Sequence, residues 1–191
     1  MTPAVFLDRD GTVIEERGYL GRLDQIELFA GSAEAIRILK DAGYAVVIVT
    51  NQAGIARGLF DEAFVESAHA RLDAMLRAQG AVVDGYYYCP HHPDGSVDRY
   101  RVRCDCRKPA PGMVRQAAAD LDLDVSRSFV VGDKWLDVGL ARNAGARGVL
   151  VRTGYAGGDD PQPPPGCEPD VIVDTLLDAA RWIRAATAAE R

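Results

Sequence analysis

A chain of 191 residues, 48% apolar and 26% charged, has the length and balance of one globular domain around a single sizeable core. Its net charge of −6 and the absence of any long basic block argue against duplex nucleic acid as a partner, and no apolar run approaches the ~20 residues that cross a bilayer. The opening MTPAVFLDRDG lacks the basic and apolar regions of a signal peptide, so the cytoplasm is the expected location and stable disulfides are not expected.

Short apolar runs alternate with amphipathic stretches, the rhythm of βαβ units. AVFLD (4–8) reads as a buried strand ending on a carboxylate. SAEAIRILKDAG (32–43) reads as a helix with Ser32 as its cap and Gly43 as its stop. YAVVIVT (44–50) is a β-branched, nearly continuous apolar strand of the kind found inside parallel sheets. The next helix spans 61–80, with Asp61 as cap, Gly80 past its end, and Phe64, Ala68, Leu72 and Met75 as its apolar stripe. His69 within it is expected on the helix surface. Further strands are predicted at 82–88, 128–133, 148–154 and 170–174, and further helices over 111–122, after 134 and in the tail. The segment 157–169 is a loop by its Pro and Gly content. The predicted fold is one α/β domain over 1–191, Rossmann-like, with an open, mostly parallel sheet and helices on both faces.

In such sheets ligands sit beyond the carboxyl ends of the strands. Each predicted end here is polar or charged: Asp8-Arg9-Asp10-Gly11-Thr12, Thr50-Asn51-Gln52, Cys89 onward to Arg107-Lys108, and Gly132-Asp133-Lys134. Two aspartates two residues apart suit phosphoryl transfer to a carboxylate. One attacks phosphorus; the other protonates the leaving alkoxide and later deprotonates water. Carboxylates beside a phosphate repel it, so a divalent cation is required, and magnesium suits this ligand chemistry. Asp133 would complete its ligands, while Lys108 and the Thr50 hydroxyl would meet the phosphoryl oxygens.

FLDRDGT (6–12), VTNQ (49–52), Lys108 and GDKWLD (132–137) resemble the four motifs of the haloacid dehalogenase superfamily. The resemblance implies Asp8 as nucleophile, Asp10 as general acid/base whose backbone carbonyl also reaches magnesium, and Asp133 as a further metal ligand. Asp137 matches the last acidic position of the pattern. About forty residues separate the first two motifs, too few for a cap domain, so this resembles a capless member.

Three of the four cysteines and two of the three histidines fall within 89–106. Cys89-x-His91 and Cys104-x-Cys106 supply three thiolates and one imidazole, a closed tetrahedral set for structural zinc. His92 could compete with His91, and the alternatives are a Cys104–Cys106 redox pair or isolated thiols. Cys167 reads as a bystander. A zinc knot here would staple a loop poor in core residues and fix Arg107 and Lys108 beside the carboxylates.

The stretch 85–113, with NQAGIARG, DRDGT and GDK, resembles the bacterial D-glycero-D-manno-heptose 1,7-bisphosphate 7-phosphatases. That resemblance implies a small phosphorylated sugar as substrate, bound by Glu16, Arg17, Gly18 and Tyr19, by Thr50, Asn51, Gln52 and Ala53, and by Arg107, Lys108 and Lys134. Arg107 would grip the sugar or its distal phosphate. A monomer is expected. Histidinol-phosphate phosphatases share the motifs but have a shorter gap than the twelve residues between His91 and Cys104. A nucleic-acid 3′-phosphatase would want a basic groove with stacking aromatics, and Tyr86, Tyr87, Tyr88 and Tyr100 are the one aromatic cluster. A zinc-stabilised binding protein, its aspartates merely holding a cation, is the non-enzymatic alternative.

Overall fold

A computed structural model describes residues 1–157 and 166–189. Six strands form one sheet in the order β3-β2-β1-β4-β5-β6: β1 Thr2–Leu7, β2 Ala45–Asn51, β3 Gly85–Cys89, β4 Leu123–Gly132, β5 Arg147–Val151 and β6 Val171–Val173. Every pairing is parallel, in keeping with the open, mostly parallel sheet expected. The order reverses beside β1, which places the topological switch between the ends of β1 and β4.

Strand periodicity divides the core in two. Val5 and Leu7 face α1 (Ser32–Asp41), α3 (Glu62–Ala78) and α6 (Leu176–Ala189), whereas Ala4 and Phe6 face α4 (Gly112–Leu121) and α5 (Trp135–Ala144). Asp61 caps α3, accepting a hydrogen bond from the Phe64 N–H at 2.9 Å. Among the described residues no helix is long and apolar enough to cross a membrane. The chain between β2 and β3 holds the one-turn α2 (Ala53–Ala56) and α3.

Three expectations shift, and one falls largely outside the described residues. Ser32 is not a cap: Gly31 precedes α1 at φ 87, and the Ser32 hydroxyl donates instead to the Val13 carbonyl at 2.8 Å, tying the loop after β1 to the helix. The strand expected at 128–133 begins at Leu123, because Leu123 and Asp124 already pair with Thr2 and Pro3, and the register shifts before Val5. Ser128 Oγ closes that irregularity, accepting from the Ala4 N–H and donating to the Asp124 carbonyl. His69 lies inside, 7% exposed and stacked on Tyr86. The proline-rich segment expected at 157–169 lies largely outside the described residues.

Candidate active site and metal centre

The ends of β1, β2 and β4 bring the polar residues together around a cavity of about 280 Å³. Leaving β1, the chain turns at Gly11 (φ 84), where a Cβ would stand 2.6 Å from the Asp133 carboxylate carbon; only glycine permits this approach. Thr153, after β5, donates to the Gly11 carbonyl at 2.7 Å, and the Tyr155 N–H donates to Asp133 Oδ2 at 2.8 Å. The β5 end is thus the third wall of the carboxylate cluster. Its residues carry no sequence motif of their own.

Asp8, Asp133 and Asp137 each place a carboxylate oxygen within 4.8 Å of the others. All three are buried. Burial, then the Asp8 charge, pushes Asp133 up to about 8; burial pushes Asp137 up to about 6 against the pull of Lys108. Lys108 Nζ lies 2.8 Å from Asp8 and 2.6 Å from Asp137 and donates to the Val49 carbonyl. Burial opposes its charge, but the two carboxylates outweigh burial and raise its pKa. Asp133 Oδ1, by contrast, is buried without a hydrogen-bond partner. An orphaned acceptor in a crowded, all-oxygen cluster fits a hard dication such as magnesium.

Asp10 does not join that cluster through its side chain. Arg9 Nε and Nη2 donate to its two oxygens at 3.1 Å each, and Gln52 Nε2 donates to Oδ2 at 3.0 Å. Gln52 also donates to the Thr50 hydroxyl at 2.9 Å. Asn51 clasps the Lys108 backbone, accepting from its N–H and donating to its carbonyl. Sequence reasoning passed over Arg9, a buried arginine 2% exposed.

Of the residues expected to meet substrate, Glu16, Gly18, Tyr19, Asn51, Gln52, Ala53, Arg107 and Lys134 line the cavity, joined by Leu20, Phe60 and Tyr155. Thr50 and Lys108 are buried beneath it. Lys134 bridges to Glu16 at 3.2 Å and lies over the Tyr155 ring. Arg17 is not among the cavity-lining residues, because Glu15 and Glu27 hold its guanidinium at 2.7 and 2.8 Å.

Cys89, His91, Cys104 and Cys106 converge within 4.8 Å. Their sulfurs are 3.1 to 3.5 Å apart, and His91 Nδ1 is 3.3 Å from Cys106 and 3.8 Å from Cys89. A tetrahedral ion with ~2.3 Å bonds to sulfur sets sulfurs about 3.7 Å apart, so this cluster fits zinc with a modest expansion. Hydrogen bonding with Cys89, and then with Cys104 and His91, lowers Cys106 to about 5 against the effect of burial. His92 turns elsewhere, accepting from the Asp94 N–H. Arg107 Nη1 donates to the His91 carbonyl at 3.2 Å, which ties the cavity wall to the cysteine cluster. Cys167 is buried beside Val138 and Leu150, away from both centres.

Residues 105–179 match a family model described as HAD-hydrolase-like, and residues 4–139 match one described as polynucleotide kinase 3 phosphatase. The D-glycero-β-D-manno-heptose-1,7-bisphosphate 7-phosphatase of Yersinia pestis is 49% identical over 154 residues, which are 80% of this chain and 81% of that protein. The chain belongs to this phosphatase family. The family member from Photorhabdus laumondii is 43% identical over 184 residues, 95% of each chain. Among solved structures, the D,D-heptose 1,7-bisphosphate phosphatase of B. bronchiseptica, complexed with magnesium and phosphate, superposes with a TM-score of 0.80 at 34% identity, over 96% of this chain and 99% of that one. The chain is thus a haloacid dehalogenase-type phosphomonoester hydrolase, as its motifs imply.

Proposed function

We propose that this chain, as one catalytic domain with the cysteine loop inserted, hydrolyses the C7 phosphate of D-glycero-β-D-manno-heptose 1,7-bisphosphate to leave the 1-phosphate. The observation that carries the reading is the pairing of a buried Asp8, held by Lys108, with an Asp10 that lines the adjoining cavity. The names of the relatives support the sugar and its β anomer.

Asp8 attacks phosphorus in line with the departing C7 oxygen, and the P–O bond to the sugar breaks. The alkoxide takes its proton from Asp10, leaving a phosphate on Asp8. Asp10, now a carboxylate, takes a proton from water, which attacks the phosphate and frees Asp8. Lys108 and the Thr50 hydroxyl stabilise the phosphoryl oxygens. Asp8, Asp133 and the Asp10 carbonyl would hold magnesium, which when bound neutralises the charge of the carboxylates and the phosphate. Cys89, His91, Cys104 and Cys106 would hold zinc with no position left open, so its part is structural. Arg107 would grip the sugar or its distal phosphate, and Lys134, Glu16, Gly18, Tyr19, Asn51, Gln52 and Ala53 would shape the substrate site. A cytoplasmic monomer acting on a small sugar phosphate needs no further partner.

The test is phosphate release with magnesium from both anomers of the bisphosphate, from histidinol phosphate and from a 3′-phosphorylated oligonucleotide. The β anomer should exceed the others at least tenfold in kcat/KM, and Asp8→Asn should abolish turnover while fold and zinc content persist. Preference for histidinol phosphate or the oligonucleotide would overturn the substrate; an active Asp8→Asn variant would overturn the nucleophile.

A further inference from the structure

Arg9 stands between the two catalytic aspartates in the chain and is 2% exposed. Burying a guanidinium is costly unless it is paired and hydrogen-bonded. Asp10 answers two of its three nitrogens: Nε and Nη2 engage the two carboxylate oxygens in a fork, the closest approach being 2.9 Å, while Nη1 is buried without a partner. Gln52, at the start of α2, braces Oδ2 from a second direction and is itself anchored on Thr50. Three donors therefore stop the carboxylate from rotating, while Asp10 still lines the cavity. On its far side Arg9 bears on His69, whose charged form is disfavoured by burial and then by Arg9, down to about 3.

We propose that Arg9 is a positioning residue that aims Asp10 at the leaving-group oxygen, with Gln52 as the second brace. The inference rests on the assignment of Asp10 as proton donor. An arginine is required because a lysine carries the charge without the planar two-point fork.

The leaving group separates this role from a merely structural one. The sugar's C7 alkoxide is too basic to depart without a proton, whereas the phenolate of p-nitrophenyl phosphate departs unaided. For both substrates kcat/KM reports the steps through phosphorylation of Asp8 and excludes the later attack of water. In the Arg9→Lys variant, kcat/KM for the sugar bisphosphate should fall about 30- to 100-fold, within the range general acid catalysis supplies. For p-nitrophenyl phosphate it should fall less than about threefold. Asp10→Asn should show the same asymmetry, and Arg9→Lys added to it should cost little more. Zinc content and thermal unfolding check the fold; if Arg9→Lys does not fold, the neutral Arg9→Gln, which also lacks the two-point fork, takes its place and should give the same asymmetry. Equal losses on both substrates, or none, with Asp10→Asn asymmetric, would overturn the role of Arg9 alone. A symmetric Asp10→Asn variant would overturn the proton-donor assignment and the role of Arg9 with it.

Discussion

Replacing Gly154 by alanine probes the close approach that builds the carboxylate cluster. Gly154 has φ 63, and an added Cβ would stand 2.8 Å from Gly11 Cα and closer still to the Asp133 carboxylate, well inside the ~3.5 Å of ordinary carbon contact. Gly145, which ends α5 at φ 81, is the natural control, because nothing lies within 4 Å of a Cβ added there. Gly145→Ala measures the left-handed backbone cost alone, about 1 kcal/mol. Gly154→Ala adds overpacking of roughly 1–3 kcal/mol, since one neighbour is backbone and the other is tied to the Tyr155 N–H. For a chain of this size each kcal/mol moves Tm by about 2–4 °C, so the control should lose a few degrees and Gly154→Ala roughly twice to four times as much. Displacing Asp133 should also raise the magnesium concentration that half-saturates turnover by about tenfold, equivalent to ~1.4 kcal/mol of binding. Thermal unfolding followed by circular dichroism and a magnesium titration of phosphate release measure the two effects. If Gly154→Ala matches Gly145→Ala in Tm and keeps the wild-type magnesium dependence, the loop after β5 is not a wall of the metal site.

Zinc analysis should find about one ion per chain held by the four ligands, and chelating it or making Cys104→Ser should lower Tm and turnover together, through the loop that carries Arg107 and Lys108; full activity after complete removal would refute the staple. Lys108→Met leaves Asp8 and Asp137 buried without their cation and should cost about 3–5 kcal/mol in urea unfolding without added magnesium, a loss below ~1 kcal/mol being incompatible with the pairing described. His69, held near 3 in the fold against 6.5 unfolded, refuses a proton that the unfolded chain accepts. Its contribution is therefore intact above pH 6.5 and drains away as pH falls toward 3, by ~1 kcal/mol between pH 7 and 5.5; His69→Leu should flatten that slope, and an unchanged slope would assign the pH dependence to other groups.

The residues that do chemistry are legible in the chain because they follow a local rule: an apolar run that ends on a carboxylate, as in AVFLD and FVVGD, places that carboxylate at a strand end. The residues that aim and shield them follow no such rule. Arg9 sits beside Asp10 in sequence, but that it is buried depends on α3 and on Gln52, which reach it only when the sheet is assembled. His69 carried a signal that the stripe through Phe64, Ala68, Leu72 and Met75 obscured. Val65, Leu72 and Leu76, all fully buried, stand four residues before it and three and seven after, the spacing of a helix face turned inward. Arg17 looked available because Glu27 is ten residues away, and only the antiparallel bridge of Ile14 with Leu28 brings the two together. Tyr86 and Tyr88 resolve in the same way: their rings pack on His69 of α3, so the aromatic cluster serves the joint between α3 and the edge strand. The divide has a physical basis. A nucleophile needs only a position at the end of a strand, which periodicity sets, whereas a buried charge needs a partner supplied from another element, and that is decided by topology.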